Sequence, residues 1–454
     1  MRPIFNFRVA SIKYERVKTR FASCVVCLAV AVVPSSATCT AHASTKDGPT
    51  PYTADELSAI YRHSPLGHLP PDPTNRVAED PNAAALGQFL FFDSRFSANR
   101  AISCATCHNP ALAFTDGRAL SKGIAVGTRN VPTVLDVAFS QWFFLDGRTD
   151  SLWSQAMQPF ENAAEFGGDR LQMVLMTIRD PALRTAYQQV FGSLPALTAD
   201  LPSTVHHARP DADPQSPVAQ AWRNISPADR RTVDEIFSNL GKAIEAFERK
   251  LLGGPAPFDR YVAGLRSHDP TSQDAISPAA KRGLKLFVGS GRCELCHSGP
   301  AFTDGQFHNL GLPLLPGQAP DPGRADGIRR LQGDPFNGVG HFSDAAGTSD
   351  VKDRLSFLPD ATSQLGAFKT PTLRNVALTA PYMHDGRFTT LEQVLDFYGQ
   401  GRRTNRDHFV GLRERTVDLV PQLTGSQQAD LAAFLRTLNS PPLPSALTHA
   451  PARP

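Results

Sequence analysis

Two five-residue stretches, Cys104-Ala105-Thr106-Cys107-His108 and Cys293-Glu294-Leu295-Cys296-His297, decide how this chain folds. Each has the pattern C-x-x-C-H, in which two cysteine thiols add to a haem and the adjacent histidine becomes the proximal ligand of its iron. A zinc site would need two more ligands near each cysteine pair, and a redox dithiol does not require the histidine. The sequence therefore predicts two covalently bound haem c groups, with Cys104, Cys107 and His108 holding one and Cys293, Cys296 and His297 the other.

The bulk composition sets the size and class of the protein. A chain of 454 residues with 41% hydrophobic content is long enough for two or three domains. The net charge is +3 and no basic patch is visible, so a nucleic-acid partner is not expected. The 38 prolines and 33 glycines indicate long loops.

The N-terminus has the pattern of an export signal over residues 1–43. Basic residues extend to Arg20, an apolar stretch follows over 21–33, and Ala41-His42-Ala43 resembles a cleavage site. The alternative is an uncleaved anchor, although the apolar stretch is short for a bilayer span. A cleaved signal agrees with haem attachment, which takes place outside the cytoplasm, and predicts a periplasmic protein. Three of the seven cysteines lie in this segment, and the two motifs use the other four, which leaves none for a disulfide.

The residues around the two motifs form a repeat. Before each motif stands a similar run, Gly87-Gln88-Phe89-Leu90-Phe91 or Gly283-Leu284-Lys285-Leu286-Phe287, and after each comes Ala-Phe-Thr-Asp-Gly, at 113–117 and 301–305. Further on, Pro-Thr at 132 and at 371 is followed fourteen residues later by Asp-Gly-Arg. The sequence therefore predicts an internally duplicated haem domain.

The two copies differ at one important position. Pro159 lies seven residues beyond Leu152, and Tyr398 lies seven residues beyond the matching Leu391. Proline cannot ligate iron, whereas a tyrosinate can. If the copies superpose, one haem is open and the other closed, which suits oxidant chemistry supported by electron transfer.

From about Asn82 to Leu438 the sequence resembles the bacterial dihaem cytochrome c peroxidases and their relative MauG. The resemblance is carried by both C-x-x-C-H motifs, Arg129-Asn130-Val131-Pro132-Thr133, Asp146-Gly147-Arg148, Gln155 with Glu165, Leu373-Arg374-Asn375-Val376-Ala377 and Pro381-Tyr382-Met383-His384-Asp385-Gly386. It implies a mainly α fold of two cytochrome-c-like domains with long loops. These are a peroxidatic domain at 75–270 and an electron-transfer domain at 271–445, with a calcium ion between the haems.

The resemblance also implies a distal pocket at the first haem. Gln155, Pro159 and Glu165 match the family pattern in type and spacing. A buried carboxylate can move a proton between the oxygens of a bound peroxide, and an amide can hold the peroxide by hydrogen bonding. Without the haem context, Gln155 and Glu165 would be interpreted as ordinary residues of a helix surface.

Three departures from the family pattern are visible. No histidine occurs between His108 and His206, and Lys122 stands where many relatives have one, so we expect an iron that is open at rest. Tyr398 is the predicted distal ligand of the second haem, with Met383 as the alternative. Leu145 replaces a tryptophan between the haems, which leaves the electron path open among nearby aromatic residues.

Other segments have weaker signals. Asn130, Thr379 and Pro381 match the family's calcium site, where amide and carbonyl oxygens suit a hard cation, although such residues are also common in turns. Residues 313–366 are rich in Gly, Pro and Asp and are interpreted as a long surface insertion.

The sequence as a whole predicts a periplasmic dihaem peroxidase. It would reduce hydrogen peroxide with electrons from a small redox protein, either a cytochrome c or a cupredoxin. One alternative is a MauG-like oxidase that modifies a partner protein, and another is a non-catalytic dihaem electron carrier. A homodimer is compatible with the sequence, which does not decide the oligomeric state.

Overall fold

The computed structural model describes residues 52–197, 207–401 and 409–452. The predicted export signal, residues 1–43, lies outside these ranges. Within them, every helix is too short or too polar to span a bilayer.

The described residues are mainly helical, as the sequence predicts. The helices are α1 Ala54–Arg62, α2 Pro81–Phe92, α3 Cys104–Cys107, α4 Leu152–Glu161, α5 Arg170–Arg179, α6 Pro181–Phe191, α7 Pro217–Asn224, α8 Pro227–Glu248, α9 Pro257–Ser267, α10 Pro270–Gln273, α11 Pro278–Val288, α12 Arg324–Gly333, α13 Ser349–Ser356, α14 Leu391–Asp396, α15 Gly425–Arg436 and α16 Ser445–Thr448. A π-helical turn, Phe397–Gly401, follows α14. Turns of 3₁₀ helix lie at Ser94–Phe96, Pro110–Leu112, Val137–Phe139, Cys293–Leu295, Ala361–Gln364, Val376–Leu378 and Arg415–Leu419.

Polar caps and proline explain where several of these helices begin. Asp80 caps α2, Ser226 caps α8 and Ser277 caps α11, and in each case the side chain accepts a hydrogen bond from a backbone N–H of the first turn. A proline follows each cap, at the position where its fixed φ and missing N–H cost nothing.

The core is divided into two large clusters of buried side chains. The first joins α2, α4, α5, α6 and α8 and includes Trp153, Phe160 and Phe247. The second joins α1, α9, α11 and α15 and includes Phe258, Phe287 and Phe434. Each haem motif therefore has a core of its own, although the domain boundary between 270 and 271 stays a prediction.

Glycines let the helices that precede the two motifs pack closely on their partners. A Cβ at Gly87 of α2 would lie 1.8 Å from the carbonyl oxygen of Ala243 in α8. A Cβ at Gly283 of α11 would lie 2.0 Å from the carbonyl oxygen of Asp430 in α15. These glycines hold matching positions in the sequence repeat, and the two helix crossings depend on them in the same way.

The only β-ladder in the described ranges is a short antiparallel pair, β1 Phe307–His308 with β2 Phe368–Lys369. Next to it, two backbone hydrogen bonds join the halves of the chain. Asn130 N–H donates to the carbonyl of His384 (2.8 Å), and Lys369 N–H donates to the carbonyl of Leu145 (2.8 Å).

The interpretation of residues 313–366 as a surface insertion is wrong for much of the segment. It contains α12 and α13, buries Ile328 and Leu331, and contributes Phe336 to the first hydrophobic cluster. Asp334 accepts hydrogen bonds from Ser154 and Gln158 of α4 (3.5 and 3.3 Å). The segment therefore supports the helix that carries the predicted distal residues.

Candidate active site

A cavity of about 1010 Å³ brings the two C-x-x-C-H motifs together. Its lining includes His108 and Cys107 from the first motif and Cys293, Cys296 and His297 from the second. None of the four described cysteines takes part in a disulfide, so all four are available for haem attachment.

Local hydrogen bonds orient both histidines in the same way. His108 Nδ1 lies 3.2 Å from the carbonyl oxygen of Phe114, and His297 Nδ1 lies 3.0 Å from that of Phe302. A carbonyl can only accept, so Nδ1 carries the proton and Nε2 keeps its lone pair for a metal. Both phenylalanines adopt positive φ (58° and 52°) as the chain turns back towards the histidine.

Burial shifts the pKa values of these histidines and cysteines so that the uncharged form of each is favoured. It lowers the pKa of both His108 and His297, which favours the neutral imidazole that binds iron. It raises the pKa of the thiols of Cys107 and Cys293, to about 12 each. Two thiols and one neutral imidazole in each motif fit a pair of haems.

Helix α4 and the turn that follows it place the predicted distal residues in the same cavity. Gln155, Pro159 and Glu165 all line it, together with His108. Ser151 caps the helix through the N–H of Ser154. The Oε1 atom of Gln155 is buried and accepts no hydrogen bond from the described residues. It is an acceptor that a bound molecule with an O–H group would satisfy.

Glu165 has the environment expected of a proton-transfer group. Burial raises the pKa of its carboxyl, whereas the Arg148 guanidinium, a hydrogen bond from Asn162 (2.6 Å) and Arg330 lower it. A carboxyl whose pKa is raised is better able to accept a proton and return it.

The loop that contains Lys122 covers the edge of this pocket. Ile124 and Ala125 donate backbone hydrogen bonds to the carbonyls of Glu165 and Ala164 (3.0 and 2.9 Å), so the loop is tied to the distal segment. Residues 120–128, all of them described, contain no histidine, methionine or cysteine. This loop therefore offers the iron no side chain of the usual ligand types.

Comparison with known proteins places this site in a family. The sequence model of the di-haem cytochrome c peroxidases matches residues 81–267. The methylamine utilization protein MauG of Methylorubrum extorquens is 30% identical, over 94% of this chain and 96% of its own length. The chain belongs to the dihaem cytochrome c peroxidase and MauG family. Two haem groups and oxidoreductase chemistry follow from that membership.

Proteins named as peroxidases and proteins named as MauG or MauG-like are both similar to this chain. The cytochrome-c peroxidase IdrP1 of Denitromonas iodatirespirans is 33% identical, over 83% of this chain and 86% of its own length. A crystal structure of a MauG-like protein associated with microbial copper homeostasis has a TM-score of 0.59 and 25% identity, and covers 85% of this chain and 98% of its own. The diheme peroxidase BthA from Burkholderia thailandensis has a TM-score of 0.57 and 25% identity, and covers 85% and 93%.

Both candidate ligands of the second iron lie in the cavity of this dihaem protein. Tyr398 is on the π-helical turn after α14, and Met383 is on the turn after the cis peptide Ala380-Pro381. Met383 and its counterpart Phe144 share a positive φ (73° and 61°), as expected if both occupy the same turn of the repeat. The preference for Tyr398 over Met383 stays a prediction.

A shift of 239 positions relates the later parts of the two repeats, as in Pro159 and Tyr398. By the same shift, Gln155 corresponds to Val394, which also lines the cavity. The first pocket thus has an amide and a proline where the second has a valine and a tyrosine.

The residues predicted to bind calcium all belong to the wall of the cavity. Asn130, Thr379 and Pro381 line it, and Asn130 Nδ2 donates to the carbonyl of Arg118 (2.7 Å). Among the described residues, nothing donates to Asn130 Oδ1 or to the carbonyls of Thr379 and Pro381. Three such oxygens fit a hard cation.

The sequence analysis did not identify Arg330 and His63, which lie close to the predicted site residues. Arg330 of α12 lines the cavity and acts on Glu165 from a segment that looked like a surface loop. His63, only 1% exposed, packs on Phe302 at a ring distance of 4.7 Å, and its Nε2 lies 3.2 Å from the carbonyl of His297. No local motif marks either residue.

One further cluster of side chains resembles a metal site, but one of its members is a cysteine of the second C-x-x-C-H motif. Cys296, Asp304 and His308 place possible ligand atoms within 4.8 Å of one another. Haem attachment would use the Cys296 sulfur. His308 pairs with Asp304 (2.8 Å), whose hydrogen bond raises the histidine pKa to about 10. A histidine that stays protonated is a poor metal ligand.

Proposed function

We propose that this chain is an exported dihaem c-type peroxidase. In this proposal, hydrogen peroxide is reduced at the haem bound by His108, and electrons are relayed through the haem bound by His297. The observation that carries the proposal is that one cavity is lined by His108, by Glu165, a half-buried carboxyl with a raised pKa, and by Gln155, whose buried amide oxygen accepts no hydrogen bond from the described residues. When bound, the haem supplies the iron that receives peroxide and electrons.

The distal residues have separate tasks in this proposal. Gln155 Oε1 accepts a hydrogen bond from the peroxide and orients it. The Glu165 carboxylate takes the proton from the inner oxygen and returns it to the outer oxygen as the O–O bond breaks. Pro159 keeps the distal side free of a protein ligand. Two electrons from a small redox protein, either a cytochrome c or a cupredoxin, and two protons from solvent complete the reduction to two waters.

Several supporting features belong to the same proposal. The signal at 1–43 would direct the chain to the periplasm, where both haems are attached through the motif cysteines. Tyr398 would close the second haem, and Asn130, Thr379 and Pro381 would hold calcium. An internal duplication is supported by the matching turns at Phe114 and Phe302 and at Phe144 and Met383.

A MauG-like oxidase, which would use peroxide to modify a partner protein, is the second candidate. Tyrosine at position 398 favours it, as does the similarity to MauG along 96% of that protein's length. A non-catalytic electron carrier, the third candidate, would have no need of Gln155 and Glu165.

Steady-state peroxide consumption with a reduced cytochrome c or cupredoxin tests the proposal. We expect turnover by the wild type and a loss of about 100-fold or more in Glu165→Gln, because the proton-transfer group is removed. Glu235→Gln, the same change at an exposed glutamate of α8, should behave as wild type. Slow turnover with every small donor, together with a fast single reaction with peroxide, would favour the MauG-like oxidase. If the protein does not react with peroxide at all, the non-catalytic electron carrier is the remaining candidate function.

A further inference from the structure

The two halves exchange equivalent backbone hydrogen bonds around the cavity. The shift of 239 positions relates Asn130 to Lys369 and Leu145 to His384. The bond from Asn130 N–H to the His384 carbonyl is therefore the counterpart of the bond from Lys369 N–H to the Leu145 carbonyl, and both measure 2.8 Å. The two halves are therefore related by a local two-fold axis at this point, and Lys369 in the second half occupies the position of Asn130 in the first.

The same relation extends to the neighbouring carbonyls. Pro381, whose carbonyl belongs to the proposed calcium site, is the counterpart of Trp142, and Thr379 is the counterpart of Ser140. Lys369 Nζ donates to the carbonyl of Trp142 at 2.9 Å. The ammonium thus lies against the carbonyl that corresponds to a calcium ligand.

We propose that the Lys369 ammonium is a built-in cation at the two-fold counterpart of the calcium site, and that it fixes the Trp142–Leu145 segment between the haems. The inference rests on the proposed calcium site. Lys369 bonds both ends of this segment, through Nζ to Trp142 and through its backbone N–H to Leu145. Leu145 is the position at which many relatives have a tryptophan.

Lys369 has no carboxylate partner among the described residues, so a bound group that carries negative charge would stabilise its ammonium. The side chain lines the cavity, and within 52–197, 207–401 and 409–452 no carboxylate forms an ion pair with it. Burial alone lowers its pKa to about 8, so it remains largely protonated at neutral pH. A half-buried cation at the wall of a cavity is stabilised by a nearby anion, and haem propionates have the right chemistry to provide one.

Metal content gives the first test. Lys369→Asn recreates the amide of Asn130 opposite the carbonyl of Trp142, so the haem-loaded variant should bind one more Ca²⁺ per chain than the wild type. Lys369→Met, which offers no oxygen, should bind no extra ion. After removal of metal and dialysis against Ca²⁺, elemental analysis counts the ions. Equal calcium in Lys369→Asn and wild type would overturn the proposed equivalence.

Reduction potentials give a test that does not depend on calcium. Removing a cation stabilises ferric over ferrous haem, so Lys369→Met should lower the midpoint potentials in spectroelectrochemistry. Lys369→Arg should remain near the wild type, as should Lys352→Met, which changes an exposed lysine of α13. Potentials equal to wild type in Lys369→Met would overturn the role of Lys369. A wild type that binds no Ca²⁺ would instead refute the calcium site.

If Lys369→Met does not incorporate haem, the midpoint potentials of Lys369→Arg and Lys369→Asn test the role of Lys369 instead. A wild-type potential in Lys369→Arg and a lower one in calcium-free Lys369→Asn support the built-in cation. Equal shifts in the two variants contradict it.

Discussion

At the scale of single residues, the acidity of Glu165 is set by groups from distant parts of the chain. Burial raises its pKa, and Arg148 from the Asp-Gly-Arg turn lowers it, as does Arg330 from α12. Only the ionised carboxylate can accept the proton of peroxide. The reaction should therefore slow on the acid side, and at a higher pH than for an ordinary carboxyl.

The variant Arg330→Gln tests this balance. Removing one nearby positive charge raises the pKa of Glu165, so the acid limb of the rate of reaction with peroxide should move to higher pH. Stopped-flow measurements across pH provide the profile. Arg329→Gln, an exposed neighbour on the same helix that does not line the cavity, should leave the profile in place. Identical profiles for all three proteins would show that Arg330 does not act on Glu165.

Sequence reasoning found the residues that lie at fixed spacings from a motif. Gln155, Pro159 and Glu165 were named this way, and the structure brings them to one cavity with His108. Arg330 and Lys369 were missed because their positions depend on the packing of one half against the other, which no local spacing encodes.

At the scale of elements, the helix pairs next to the motifs depend on close contact. Gly87→Ala would place a methyl group against the backbone of α8 at Ala243, a site that cannot move without shifting the helix. We expect a loss of about 1–3 kcal/mol in the free energy of unfolding, measured by denaturant titration followed by circular dichroism.

Gly425→Ala is the matched control for this change. Its Cβ would meet no atom within 4 Å, so the free energy of unfolding should change by no more than about 0.5 kcal/mol. Equal stability of Gly87→Ala and Gly425→Ala would mean that the α2–α8 crossing tolerates a larger separation than its geometry implies.

Composition misled the interpretation of one element. Residues 313–366 are rich in Gly, Pro and Asp, which indicated a solvated loop, yet Arg324 is almost fully buried and stacks on Phe307, with its guanidinium carbon 4.0 Å from the ring centre. Apolar residues such as Ile328 and Leu331 are too few there to produce a clear periodic signal. By contrast, the apolar runs at 87–91 and 283–287 lie in α2 and α11, the helices that lead into the motifs.

At the scale of the whole molecule, the two haem sites should differ in spin state. In the proposal, Pro159 leaves one iron open and Tyr398 closes the other, so EPR of the ferric enzyme should contain one high-spin and one low-spin signal. Tyr398→Phe should abolish the low-spin signal, whereas Met383→Leu should preserve it. The opposite pattern would assign Met383 as the ligand, and two low-spin signals in the wild type would contradict the open site.

The sequence also predicted the mainly helical class of the fold, which the structure confirms. The repeat indicated two similar haem-binding halves, and each motif proves to have its own hydrophobic cluster. Which face of one half meets the other could not be predicted, because the contacts are backbone bonds and single charged side chains rather than a patterned apolar surface.

The reciprocal bonds at Asn130 and Lys369 limit how the enzyme can work. Each begins in one half and ends in the other, so a hinge that opened the molecule would break both at once. We therefore expect the distance between the two redox centres to change little during the reaction. In that case, electron flow would be controlled by the difference in reduction potential between the centres.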